Sequence, residues 1–328
     1  MSNLVWGQIM DGTLLDFLYV LSGFALLMGG GETLVQGATR ISQNLSVSPL
    51  VVGFTVVAVG TSLPELAVAL EAVKSNSPDI AVGGVLGSNV ANVMLVLGAA
   101  AAMGAKSESG EAVKRDSYAV VVATFFMAIF VFLGEVPLIG GFLMLTCLFG
   151  YYFYTYSMAI SSDDEYEFED SWLSKNMSVA IPACIFGGVM IWFGAELLVV
   201  GSKNIAETFG VSEAVIGLTV VALGTSLPEL AVTLVAGLRG QGGVAVGNVL
   251  GSNVMNIMGI IGIASVVGGG IIVDSEFIRD IFVVIATSGF VVTVFLTGRD
   301  FSKGVGSLMI LAYLSYMTYL SGILSGLV

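Results

Sequence analysis

Histidine is absent from this chain, and charged residues make up only 11% of it. The first absence removes the commonest transition-metal ligand and the usual proton relay near neutral pH. The second sets the chain apart from soluble domains, where about 25% of residues are charged. Cysteine occurs twice, at Cys147 and Cys184, and both lie inside apolar runs, where they read as small packing residues rather than redox groups. There is no G-x-x-x-x-G-K-[ST] phosphate loop and no stretch long enough for a soluble catalytic domain. That disfavours a nucleotide-driven pump and an enzyme.

What fills the chain instead is apolar sequence: 56% hydrophobic residues, 43 glycines and a mean hydropathy of +0.97 over 328 residues. Ten apolar runs occur, at about 14–38, 48–73, 80–103, 117–134, 138–160, 178–203, 212–238, 244–267, 280–297 and 305–326. Each matches the roughly 20 residues a helix needs to cross a hydrocarbon core of about 30 Å. None shows the alternation of a barrel strand. The expected class is an all-α integral membrane protein with ten transmembrane helices in a lipid bilayer.

With ten spans, Arg40, Lys106, Lys114, Arg115, Lys175, Arg239, Arg299 and Lys303 fall on one side, and Lys74, Lys203 and Arg279 on the other. The side richer in basic residues is cytoplasmic by the positive-inside rule. Both termini are then expected outside and the acidic loop 161–177 in the cytoplasm. No short apolar segment with a small-residue cleavage site precedes the first run, so no removable signal peptide is expected. Much of the net charge of −13 sits in the 161–177 loop, which lacks the D-x-[DN]-x-[DN]-G spacing of an EF-hand. Neither nucleic acid nor an obligate protein partner is implied.

The heptapeptide GTSLPEL stands at 60–66 and again at 224–230. The offset of 164 positions holds without a gap from about Gly29 to Gly98, and AVGGVLGSNVANVMLVLG is answered by AVGNVLGSNVMNIMGIIG. The chain is therefore read as a first repeat over 1–160, the loop 161–177 and a second repeat over 178–328. Five spans per repeat is an odd number, so the second copy enters the membrane from the opposite side. Inverted repeats with interrupted helices are a common architecture of secondary transporters, whose sites lie near the midplane.

Pro64 and Pro228 sit within helical runs, where each removes a hydrogen bond and clashes with the preceding turn. The breaks are expected to free carbonyls at about Ala58, Thr61, Ala222 and Thr225, which become candidate cation ligands. Such carbonyls are tolerated in a membrane only when buried in protein or facing a wet cavity. Thr61 and Glu65 are four apart, as are Thr225 and Glu229, Ser88 and Asn92, and Ser252 and Asn256, so each pair shares a face if its helix persists. A carboxylate at mid-bilayer costs roughly 2.5 to 3.5 kcal/mol on insertion scales, so Glu65 and Glu229 need a cation or a proton. Carboxylate, hydroxyl, amide and carbonyl oxygens together suit hard ions, Ca²⁺ or Na⁺. The glycine pairs Gly83/Gly87 and Gly247/Gly251 read as helix-packing positions. Asn89 and Asn253 suit helix bridging or ion binding, and Glu32 and Glu196 an entry path or an interface.

Two copies of GTSLPE, each followed by GSNVxN, resemble the alpha-1 and alpha-2 repeats of the calcium/cation antiporter superfamily, most closely its prokaryotic sodium/calcium exchangers. The strongest match covers 51–98 and 215–262, and the resemblance extends over all ten expected spans. It implies an antiporter that carries Ca²⁺ and Na⁺ in competition at Glu65 and Glu229, with no resident cofactor. It further implies that carbonyls of Ala58, Thr61, Ala222 and Thr225 and hydroxyls of Ser62, Ser88, Ser226 and Ser252 complete the neighbouring sites. Asn92 and Asn256 would lie in the middle, and spans one and six would slide during alternating access. The second repeat departs from the frequent GSNxxD form by carrying Asn256, which removes one formal charge and bears on the choice between Na⁺ and H⁺ coupling. A cation/proton antiporter and a cation channel are the alternatives.

Overall fold

The computed structural model describes residues 2–105, 110–161, 171–209 and 222–320. The expected start of the seventh run at 212, the acidic stretch 162–170, Lys106 and the end of the tenth run lie outside the described residues.

Helix α1 (Ser2–Leu45) is followed by α2 (Pro49–Thr61) and α3 (Leu63–Lys74), which meet at a 45° bend. Ser48 caps α2 by accepting the Val51 N–H at 3.3 Å, with Pro49 pre-set for the first turn. Helix α4 (Pro78–Met103) ends at Gly104, whose φ of 85° is the left-handed stop that glycine adopts without strain. Then come α5 (Glu111–Leu133), α6 (Leu138–Ser161) and α7 (Met177–Thr208). A helical turn at Ala222–Gly224 leads to α8 (Leu227–Leu238), α9 (Gly242–Gly268), α10 (Phe277–Leu296) and α11 (Lys303–Leu320). Strands β1 (Glu135–Pro137) and β2 (Gly270–Ile272) pair antiparallel, tying the end of α5 to the end of α9.

Among the described residues seven helices are long and apolar enough to cross a membrane, and eight if the bent pair α2–α3 is one span. The chain is a multi-pass helical membrane protein. The repeat carries into local structure: α3 and α8 have bounds 164 residues apart at both ends. Both α4 and α9 also widen into a π-helical stretch, at Asn92–Leu97 and Met255–Ile261.

The apolar core has two parts. One is formed by α4, α5, α9 and α10, with Leu86, Met127, Ile257 and Ile281 buried at its centre. The other lies where α1 and α7 cross against α2 and α8. The crossing is close: a Cβ on Gly187 would lie 2.6 Å from the Leu34 nitrogen. Cys184 is buried beside Gly37 in this crossing, in the packing role its sequence context indicates. Gly247 and Gly251 press on α2, as expected of packing positions, and a Cβ on Gly83 would lie 3.2 Å from the Phe277 ring, whereas a Cβ on Gly87 would meet nothing within 4 Å among the described residues.

A buried ionic group braces α2 from behind. Asp116 Oδ1 accepts Arg115 Nε at 2.8 Å and the Tyr151 hydroxyl at 2.6 Å, and the Tyr151 ring packs edge-on against Phe54 with centroids 5.6 Å apart. Tyr151→Phe keeps the ring contact but leaves a buried carboxylate one donor short. The expected loss is about 1 to 3 kcal/mol. It is read as a lower unfolding temperature in detergent, and an unchanged midpoint would contradict the bracing role.

Candidate cation site at the broken helices

The breaks in α2–α3 and before α8 set two glutamates in the first turn of the helices that follow. Leu63 and Pro64 begin α3, and Leu227 and Pro228 begin α8, so Glu65 and Glu229 occupy equivalent first-turn positions. Those positions suit a carboxylate, because unpaired N–H groups and the helix dipole favour negative charge there. Glu229 is fully buried and Glu65 is 6% exposed.

Hydroxyls from both repeats converge on the carboxylates. Ser88 donates to Glu65 Oε1 at 3.3 Å, and Ser252 donates to Glu229 Oε1 at 3.5 Å. Ser62 reaches across from the first repeat to donate to Glu229 Oε1 at 3.2 Å. The Ser88 and Ser226 hydroxyls are 3.4 Å apart, and so are those of Thr61 and Ser252. Asn256 donates its amide to the Ser88 hydroxyl at 3.2 Å. The last four of these contacts run across the two repeats, so neither half makes the cluster alone.

The remaining oxygens define what the cluster can do. Glu65 Oε2, Glu229 Oε2, Asn256 Oδ1 and both amide atoms of Asn92 are buried without a hydrogen-bond partner among the described residues. An unpaired buried carboxylate oxygen is costly, and a bound cation or a proton removes the cost. The donor set is two carboxylates with neutral hydroxyl and amide oxygens, which fits a hard ion such as Ca²⁺ or Na⁺ and offers nothing to a soft metal.

Of the sequence-predicted residues, Glu65, Ser88, Ser226 and Asn256 are brought into one hydrogen-bonded group, and Glu229, Ser62, Ser252 and Thr61 into a second, each drawing on both repeats. Asn92 is fully buried at the start of its π stretch, but its side chain is in none of those bonds. Thr225 is only half-buried and is not part of the cluster among the described residues. Thr61 and Glu65 do not share a continuous helical face, because the break at Ser62 falls between them. The Ala58 carbonyl is not freed as expected: it accepts the Ser62 N–H at 3.1 Å and the Thr61 hydroxyl at 3.3 Å. In the second repeat the Ser226 N–H turns to the Leu223 carbonyl at 3.1 Å instead, a tighter turn at the residue next to Ala222. Asn89 bridges α4 and α9 by donating to the Asn253 carbonyl at 3.3 Å.

Asn248 is a residue that the repeat logic misses. Its Oδ1 accepts the Thr61 hydroxyl at 3.1 Å, and its amide reaches the Thr233 hydroxyl at 3.0 Å and the Glu229 carbonyl at 3.4 Å. Its counterpart is Gly84, and Thr233 answers to Ala69, so this brace exists in one half only. The signal was the single mismatch between GGVLGSN and GNVLGSN.

Residues 15–157 and 179–322 match the family model described as sodium/calcium exchanger protein. The sodium-calcium exchanger NCX_Mj, in a structure soaked with Na⁺ and Sr²⁺, superposes with a TM-score of 0.81 at 29% identity, covering 93% of this chain and 98% of that one. The sodium/calcium exchanger MaX1 of Methanosarcina acetivorans is 28% identical over 93% of this chain and 98% of its own length. The inner membrane protein YrbG of Escherichia coli is 29% identical over 95% of this chain and 99% of its own.

Proposed function

Because the chain belongs to the sodium/calcium exchanger protein family, whose model spans most of its length, we propose that it exchanges Na⁺ for Ca²⁺ by alternating access at one shared site. The carrying observation is the pair of buried carboxylates, Glu65 and Glu229, each with one oxygen unpaired among the described residues and each in a hydroxyl network that draws on both repeats. One Ca²⁺, or Na⁺ ions in its place, neutralises them, and competition for the same oxygens makes the process exchange rather than co-transport. Thr61, Ser62, Ser88, Ser226, Ser252 and the amides of Asn92 and Asn256 supply the neutral ligands. The carbonyls of Thr61, Ala222 and Thr225 complete the proposed ligand set, and that of Ala58 joins it once its present donors turn away.

In this reading the ten spans form two inverted five-helix repeats, and the protein lies in the cell membrane with its termini outside and the 161–177 loop in the cytoplasm. Asn256 lacks the charge of an aspartate, so the counter-ion is the point to test. Proteoliposomes loaded with Na⁺, K⁺ or a pH gradient in turn, and given calcium outside, are expected to take up calcium only in the sodium-loaded case. Uptake that follows the pH gradient and ignores sodium would replace this reading with a cation/proton antiporter.

A further inference from the structure

The two ends of the repeat pair stand in different states. Along α1, Leu34, Val35 and Ala38 are buried, and Gly31 lies against Ala231 and Val235 of α8. At the positions 164 residues later on α7, Leu198, Val199 and Ser202 are half-buried and Glu196 is exposed. The α8 residues Ala231, Val232 and Val235 are buried, yet their counterparts Ala67, Val68 and Glu71 on α3 are exposed. So α1 is closed on α8, while α7 stands away from α3.

Two contacts fasten the closed end. Arg239 Nε donates to Glu32 Oε2 at 3.0 Å, and the Thr39 hydroxyl donates to Gln241 Oε1 at 2.7 Å, with Thr39 and Gln241 both buried. Glu32 is matched in the repeat by Glu196, and Arg239 by Ser75. Beside Ser75 stands Lys74, the last residue of α3 and exposed. Among the described residues neither Glu196 nor Lys74 is in an ion pair.

We propose that Glu32–Arg239 and Glu196–Lys74 are alternating latches: the first holds the end seen closed here, and the second forms when α7 closes on α3 after the first has opened. The proposal rests on alternating access as argued above. Among the described residues α3 also carries exposed Glu71, α7 carries the Lys203–Glu207 pair, 3.7 Å apart, and Asp79 stands exposed just beyond α3. Glu71 stands where α8 has Val235, so Lys74 would face two carboxylates and this end closes as a polar joint rather than a dry one. Exposed ion pairs contribute little singly, which suits a contact that must break in every cycle.

The test uses full-length protein with Cys147→Ser and Cys184→Ala, carrying either Glu32→Cys with Arg239→Cys or Glu196→Cys with Lys74→Cys. A short, reducible bifunctional thiol reagent is added, and fragments after limited proteolysis report the bridge without reference to transport. The 32/239 pair is expected to bridge fast, and the 74/196 pair slowly. Each bridge should cut ion flux by about tenfold or more, with recovery on reduction. Arg239→Gln in the 74/196 background should speed bridging about two- to fivefold, the range an exposed pair supports. A chain carrying all four cysteines should hold one bridge or the other. Absence of any 74/196 bridge, or both bridges together in one chain, would overturn the proposal. Because bridging is read on the polypeptide, the latches can stand even where the transported ions prove to differ, and can fall where they do not.

Discussion

Glu229→Gln is expected to abolish calcium flux while leaving the chain folded and inserted. The carboxylate is fully buried, accepts from Ser62 and Ser252 through one oxygen, and leaves the other unpaired. The amide has nearly the same shape and keeps an oxygen for those donors, so packing is preserved. What it removes is the charge, and Glu65 alone cannot neutralise Ca²⁺. Removing an uncompensated buried charge does not weaken the ion-free protein, and so its unfolding temperature without calcium should match or exceed the wild type. Flux should fall to the level of empty liposomes. Glu65→Gln should behave alike, since Glu65 holds the equivalent first-turn place and bonds Ser88 at 3.3 Å. Retained exchange in both variants would remove these residues from the site.

The second large effect is structural. A Cβ on Gly251 would lie 2.3 Å from the Phe54 carbonyl oxygen and 2.7 Å from its Cα, in the contact that seats α9 on α2. Those are backbone atoms and cannot move aside as a flexible side chain does. Gly251→Val would push α9, with Ser252 and Asn256, away from α2 and Thr61. Overpacking of this kind costs about 1 to 3 kcal/mol and more where backbone must shift, so little folded protein should be recovered from detergent. Gly87→Ala is the matched comparison, because no atom of the described residues lies within 4 Å of a Cβ at the counterpart position. It should give wild-type yield and unfolding temperature. Equal yields from Gly251→Val and Gly87→Ala would show that the close approach is not needed.

The centre of the site was legible because the sequence states it twice. The two GTSLPEL copies locate both helix breaks, and the 164-residue offset carries α3 onto α8 residue for residue. The serines of GSN were legible for the same reason. What repetition cannot reveal is where the halves differ. Asn248 stands opposite Gly84, and its brace to Thr61 depends on a helix crossing that only the folded chain makes. Whether the Ala58 carbonyl is freed turns on whether the backbone at Ser62 closes an i→i−4 or an i→i−3 bond, a choice of local geometry that near-identical residues make differently in the two halves. The π-helical stretches carry no hydrophobic period of their own. The closing of α1 on α8 while α7 stands off α3 is a property of the conformational state, and sequences this alike cannot encode which end is shut.

The central claim is that one pair of buried carboxylates serves both ions. Equilibrium binding of radioactive calcium to the purified protein in detergent, titrated with sodium at constant ionic strength, tests it most directly. The account predicts that sodium displaces calcium completely and competitively, and that Glu65→Gln and Glu229→Gln each lose the calcium signal. Calcium binding that persists at saturating sodium, or that survives both substitutions, would contradict it.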